Sequence, residues 1–179
     1  MRKEYVTSLV KLHLVVFIYG FTAILGKLIS ISAINLVWYR MLIATVSLGI
    51  LFTLQKYSLR ITKRDAIKIL SIGIIVAAHW ITFFGAVKLS NVSVTLGCLA
   101  SSTLFASILE PLLVKRRIIP LEVFIGLLII LGLYLIFRFE TDYTKGILVA
   151  LTSAFLAALF TVLNKIMIQH HSTRTLTFY

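Results

Sequence analysis

Six stretches of this chain are each long and apolar enough to cross a lipid bilayer, which leaves few folds open to it. They cover residues 12–31, 36–54, 66–87, 92–114, 118–137 and 146–168. A spanning helix needs about 20 mainly apolar residues. The runs are continuously apolar rather than alternating, so the strands of a barrel are a poor reading. In hydrocarbon every backbone N–H and C=O must be bonded within the protein, which a helix does inside one segment. The expectation is an all-α polytopic membrane bundle of six transmembrane helices. Composition agrees, with 60% hydrophobic and 13% charged residues and a mean hydropathy of +1.03. Soluble domains carry about 45–50% apolar and about 25% charged residues. A soluble globular enzyme and a disordered chain are therefore excluded. Arg2 and Lys3 precede the first run as in a signal peptide, but five more spans follow and no small-x-small cleavage site ends it. The segment reads as an anchor that stays. The one cysteine, Cys98, cannot form an internal disulfide, and no Cys/His cluster suggests zinc.

The net charge of +12 invites a nucleic-acid reading until the basic residues are sorted by loop. With the N-terminus placed in the cytoplasm, thirteen of the 18 Lys and Arg residues fall inside. They are Arg2, Lys3, Lys11, Lys56, Arg60, Lys63, Arg64, Lys68, Lys115, Arg116, Arg117, Lys165 and Arg174. Only Lys88, Arg138 and Lys145 fall outside, and Lys27 and Arg40 flank the outer ends of spans one and two. That is a strong positive-inside bias over short loops. The charge is thus topology, nucleic acid is not a partner, and anionic lipid headgroups are the expected partners of the cytoplasmic loops. The outer segment RFETDYTK (138–145) is a short loop, and no loop holds a catalytic or nucleotide-binding domain. No P-loop, GxGxxG, HExxH or GxSxG occurs, so neither ATP-driven pumping nor intramembrane hydrolysis has its usual groups, and no cofactor is implied.

Sliding the chain by 138 residues lays span six over span one. Phe17 meets Phe155, Leu25 meets Leu163, and Lys27 meets Lys165. With a two-residue loop insertion, LVWY at 36–39 meets LTFY at 176–179. Spans one and six run in opposite directions, so a five-helix unit would be followed by an inverted copy. Inverted repeats are a recurring way to build secondary transporters. The expected organisation is one five-helix unit over 1–138 and the start of an inverted second unit over 139–179, of which about four helices are missing.

The order of motifs resembles the EamA-type members of the drug/metabolite transporter superfamily. LVWYRMLIA (36–44) is similar to that family's aromatic-Arg second helix. HWITFFGAVKLSNVSVTLGCLASS (79–102) resembles its third helix, short loop and fourth helix. GLLIILGLYLIF (126–137) resembles its fifth helix, and LTSAFLAALFTVLNKIM (151–167) the start of its second repeat. Members usually have ten helices in two inverted repeats and export or exchange small organic solutes, including amino acids. The resemblance implies a transporter of such solutes in a bacterial cytoplasmic membrane, present here as an incomplete chain. The chain departs from many relatives in the fourth helix, where SST (101–103) replaces a Pro and Glu110-Pro111 lies near the inner end.

Polar side chains inside the spans are the candidate substrate or coupling residues. Thr103, Ser107 and Glu110 are spaced i, i+4, i+7 and share one helical stripe. The stripe would line a polar path with a proton-accepting carboxylate; alternatively Glu110 pairs with Lys115 or Arg116 at the cytoplasmic face. His79, beside Trp80 and near Thr82, would relay a proton or bond a neighbouring helix. Trp80 would wall a cavity or pack against lipid. Lys27 and Arg40 would bind a substrate carboxylate, pair with an acidic group in the absent half, or snorkel to headgroups. Tyr19, Thr22 and Gly26 on span one, and Ser101 and Ser102 on span four, fit either a cavity or close helix packing. Ala154, Ala157, Ala158 and Thr161 are the expected close-packing face of span six. The function expected is secondary transport of a small solute, coupled to protons or to an exchanged solute, with the second half or a dimer partner completing it. The competing reading is a non-transporting fragment or assembly partner. A cysteine placed in the 138–145 loop is expected to react with an impermeant thiol reagent from outside; labelling only from inside would overturn the topology.

Overall fold

The computed structural model describes residues 2–137 and 141–179. Eight α-helices follow one another: α1 (Arg2–Leu28), α2 (Ala33–Leu54), α3 (Lys63–Leu89), α4 (Val92–Leu99), α5 (Ser102–Val114), α6 (Pro120–Phe137), α7 (Thr144–Met167) and α8 (Thr173–Phe178). A 3₁₀ turn at Thr141–Tyr143 leads into α7. With α4 and α5 taken together, six helical segments are long and apolar enough to cross a membrane, so the protein is an all-α polytopic bundle.

The helix starts are written in the sequence. Ser32, Thr62, Asn91 and Ser172 each take extended backbone, and their side chains accept from the N–H three residues on. Each satisfies a donor that the first turn leaves without an intrahelical partner. The first helix begins well before the expected residue 12, because its polar opening turns remain helical although they are not apolar. It ends at Leu28 rather than 31, where the chain turns toward the Ser32 cap. The expected outer loop at 138–145 lies partly outside the described residues, at Arg138, Phe139 and Glu140.

The fourth span is not the continuous helix expected over 92–114. It breaks between Leu99 and Ser102, at the SST sequence. There the backbone tightens to i→i−3 bonds, from Ala100 N to Gly97 O, Ser101 N to Cys98 O, and Leu104 N to Ser101 O. The side chains supply the reason. Ser101 Oγ donates to Cys98 O at 2.6 Å and Thr103 Oγ1 to Ala100 O at 2.9 Å. Hydroxyls that bond nearby carbonyls compete with the α-helical ladder and bend it. Pro111, by contrast, neither ends nor breaks α5, which runs on to Val114.

The core is organised about α3, which contributes to all three clusters of buried apolar residues. Its main partner is α7, whose buried residues Gly146, Ala150, Ser153, Ala154, Ala158 and Val162 recur every three or four positions on one face. Such small residues let helix backbones approach in a membrane, where apolar surface alone gives no preference for protein over lipid. Of the expected close-packing set, Ala154 and Ala158 are buried, whereas Ala157 is half-buried and Thr161 exposed. The seam runs through Ser153 and Ala154 and turns Thr161 outward. In α6 the one buried residue is Gly126, and most of its large apolar side chains are exposed, as a lipid-facing helix requires.

Close approach to backbone-proximal atoms occurs at Gly146, where an added Cβ would sit 2.6 Å from Ser90 Cβ. Gly146→Ala is expected to lower stability by about 1–3 kcal/mol through overpacking, read as a lower thermal midpoint in detergent. Gly132→Ala, where a Cβ would meet nothing within 4 Å, is expected to leave that midpoint unchanged.

Candidate functional site

The polar residues singled out by position separate into two groups at opposite ends of the bundle, with a third group between them. At the end where α1 and α3 finish and α2 and α4 begin, lysines close the helix termini. Lys27 Nζ donates to Val87 O at 2.9 Å and Ser90 O at 3.0 Å, at the C-terminus of α3. Lys88 Nζ donates to Ile29 O at 2.7 Å, at the C-terminus of α1. The two helices therefore cap one another. An ammonium at a helix C-terminus is favoured both by the unpaired carbonyls and by the macrodipole. Lys27 is thus engaged with the backbone of α3.

Arg40 does not find such partners. It lies on the first two turns of α2, with its guanidinium carbon 3.7 Å from the centroid of the Trp80 ring. Trp80 in turn stacks on Phe84, with centroids 5.7 Å apart and planes at 24°. The Nη1 atom of Arg40 is buried and has no hydrogen-bond partner. Arg40 also lines a cavity of ≈ 510 Å³ between α1, α2 and α3, together with Thr22, Gly26, Tyr39 and Phe84. Trp80 thus supports the arginine; Thr22 and Gly26 line the cavity, and Gly26 also packs on Phe84, whose ring an added Cβ would overlap. Tyr19 is exposed.

In the middle, His79 joins α3 to α7. Its Nδ1 lies 2.9 Å from Ser153 O and 3.0 Å from Ser153 Oγ, and Ser153 Oγ donates to His79 O at 3.2 Å. The ring also packs against Phe160, with centroids 5.3 Å apart. The imidazole is buried and bonded to a neighbouring helix, the packing alternative of the two sequence readings. Ser153 was not among the residues picked out in the sequence. An apolar helix with one serine gives no signal of its own, and the α3–α7 pairing had to be seen first.

At the other end, Thr103, Ser107 and Glu110 do line one cavity, of ≈ 370 Å³, with Arg116, Glu122 and Gly126. The expected stripe is real, yet its members already have partners. Thr103 and Ser107 hydroxyls donate to carbonyls three residues back. Glu110 Oε1 accepts from Lys165 Nζ at 2.7 Å and lies 3.2 Å from Arg116 Nη2, which also reaches Glu122 Oε2 at 3.5 Å. The resulting Lys165–Glu110–Arg116–Glu122 chain ties α7, α5, the α5–α6 turn and α6 together. Lys115, the other expected partner, instead takes a left-handed backbone that ends α5. Glu122 was the missed member, and Lys165, which reads as a snorkelling residue at the end of span six, pairs with Glu110 instead. At side-chain exposures of 58% and 19%, the Lys165–Glu110 pair is largely solvated. A double-mutant cycle with Lys165→Met and Glu110→Gln is expected to return a coupling of about 0.2–1 kcal/mol in thermal unfolding.

Among the described residues no group of three or more His, Cys, Asp or Glu side chains gathers to hold a metal. Comparison with curated proteins and with solved structures found no match in either. The model of the EamA-like transporter family matches residues 7–138, which takes in α1 to α6 with both cavities and all seven candidate residues. That match covers most of the 179 residues, and the chain belongs to the EamA-like transporter family.

Proposed function

We propose that the protein is a secondary transporter that exports or exchanges small organic solutes by alternating access. Membership of a transporter family supports the class. The observation that carries the mechanism is the contrast between the two ends. One end holds a cavity lined in part by Arg40, and the other is laced by four alternating charges. We assign the Arg40 end to the outside and the N-terminus to the cytoplasm, on the basic-residue bias. In this reading the Arg40 cavity receives solute in the outward-facing state, while the Lys165–Glu110–Arg116–Glu122 chain keeps the cytoplasmic side shut. Opening that side parts α7 from α5 and α6 and exposes Ser107, and Glu110, freed of its lysine, becomes able to take a proton.

The same reading takes α1 to α6 as one five-helix unit and α7 with α8 as the start of an inverted copy. Its support is that the slide matching span six to span one, with its two-residue insertion, also lays Ser32 on Ser172, and both cap a helix start. A second half, or a second copy of the chain, would complete the path.

Two measurements on reconstituted vesicles test this. First, Ser107→Cys in a Cys98→Ala background is expected to react slowly with an impermeant thiol reagent from the cytoplasmic side, and faster once Glu110→Gln removes the lock. Second, counterflow of labelled organic solutes is expected to persist in Glu110→Gln. Unchanged reactivity together with a lost response to an imposed pH gradient would make Glu110 the coupling group instead of a gate. Absence of counterflow for every solute tried, in vesicles that hold folded protein, would favour an assembly role.

A further inference from the structure

We propose that the groove between the first turns of α3 and the last turns of α7 holds one anionic phospholipid. Its phosphate lies on Arg64 and Lys68, and an acyl chain runs along the two helices. The groove has a volume of ≈ 310 Å³, and its walls include Lys68, Ser71, Ile72 and Ile75 from α3 and Leu163 and Ile166 from α7. Arg64, Lys68, Ile72 and Ile75 are spaced i, i+4, i+8, i+11, so one stripe of α3 passes from two cations to hydrocarbon. At 1.5 Å per residue, Ile72 and Ile75 lie about 6 and 10 Å further along the helix than Lys68. The helix is a membrane span from Lys63 to Leu89, which places the charged end of the stripe at headgroup level and the apolar end among acyl chains. Phosphate-seeking groups at the rim with apolar walls below match a lipid. A free anion would have no use for those walls, and an apolar solute none for the cations.

The cations are open to a ligand. Lys68 has a side-chain exposure of 52%, and its ion pair with Asp65 is loose, at 3.8 Å. That carboxylate already accepts from Thr62 Oγ1 at 2.7 Å and faces His171 Nε2 at 3.7 Å, so Lys68 keeps ammonium protons for an outside acceptor. Arg64 is exposed and makes no ion pair among the described residues. A phosphodiester can accept from a guanidinium and an ammonium together. The groove is also on the free side of α3. The carbonyl of Tyr179, which follows α8, lies 3.4 Å from where a Cβ would stand on Gly73. Gly73 is two residues from Ser71, about 200° around the helix, so α8 sits on the far side of α3 from the groove. Ile72 and Met167 belong to the buried contact between α3 and α7, and a chain lying over them covers that contact from the lipid side. The diffuse pull of basic loops on anionic headgroups acts over a Debye length and needs no groove. A site differs in being saturable and in depending on two particular cations and one wall.

The proposal stands apart from the transport reading, because binding needs no turnover. The test uses the purified full chain in phosphatidylcholine nanodiscs, with a small share of the lipid replaced by chain-brominated phosphatidylglycerol or chain-brominated phosphatidylcholine. Ile67→Trp, at the exposed rim of the groove, supplies the reporter, its quenching taken as the excess over the parent with Trp38 and Trp80. Brominated phosphatidylglycerol is expected to quench the introduced indole saturably, with an apparent preference over phosphatidylcholine of about tenfold or more. Lys68→Gln is expected to lower that preference about fivefold, the usual worth of one cation at a charged membrane surface, and Arg64→Gln with Lys68→Gln to remove it. Arg60→Gln with Lys63→Gln takes away the same charge off the stripe and is expected to leave most of the preference. Ser71→Phe fills the groove with both cations kept and is expected to remove most of it, with circular dichroism unchanged. Equal loss in the two charge-removal pairs would reduce the effect to diffuse surface attraction and overturn the site. So would full preference in Ser71→Phe, no preference in the parent, or displacement of the quenching lipid by excess inorganic phosphate. Should Ile67→Trp not fold, the thermal midpoint of the wild type in detergent decides. It is expected to rise saturably with phosphatidylglycerol, not with phosphatidylcholine, and to rise less in Lys68→Gln; no rise would overturn the proposal.

Discussion

Everything in this bundle hangs on the seam between α3 and α7. Water drives no apolar association between helices inside a bilayer, so contact depends on close packing and on the few polar bonds that cross between helices. Ala150, Ala154 and Ala158 supply the packing on α7. His79 and Ser153 supply the bonds, with three contacts between 2.9 and 3.2 Å. Helix α3 then carries α1 and α2 on its Phe83–Phe84–Val87 portion, while Ile69 and Ile72 meet Met167 at the opposite end. Helices α1 and α6 contribute little to the core, Ala23, Gly26 and Gly126 being their buried residues.

From that seam the two ends acquire different chemistry. Where α1 and α3 finish together, their last carbonyls would be left without donors, and each helix lends the other a lysine. Where α5, α6 and α7 meet, side chains of opposite charge do the closing. The first kind of closure is between ammonium and backbone. The second is between solvated side chains and is worth little per pair. The two ends are thus closed by bonds of different kinds, ammonium to backbone at one and side chain to side chain at the other. Lys27 and Lys165, which fall on each other when span six is laid over span one, accordingly serve opposite ends in different ways.

Much of this was legible in the chain. Six apolar runs and the capping residues Ser32, Thr62 and Asn91 mark the helices, and the 103–107–110 spacing puts three side chains on one cavity wall. Three things were not legible, each because it depends on a neighbour. Arg40 and Trp80 are each singled out in the sequence, but their stacking across two helices is not. Ser153 acquires meaning only opposite His79. Glu122 and Lys165 become partners of Glu110 and Arg116 only once α6 and α7 are placed. Hydropathy and helical period report the helix and its face, but not which face of which other helix it meets.

The interruption of the fourth span is built from hydroxyls rather than from a proline ring. A proline removes a backbone donor outright, and nothing the cell or the solvent does restores it. A serine or threonine only competes for a carbonyl, and the ladder's own donor stays in place. Ser101 and Thr103 therefore make a reversible joint between α4, which packs on the α3–α7 seam, and α5, which belongs with the charged end. Each half of the span thereby packs with its own neighbours, while every backbone N–H of the joint stays available to the ladder.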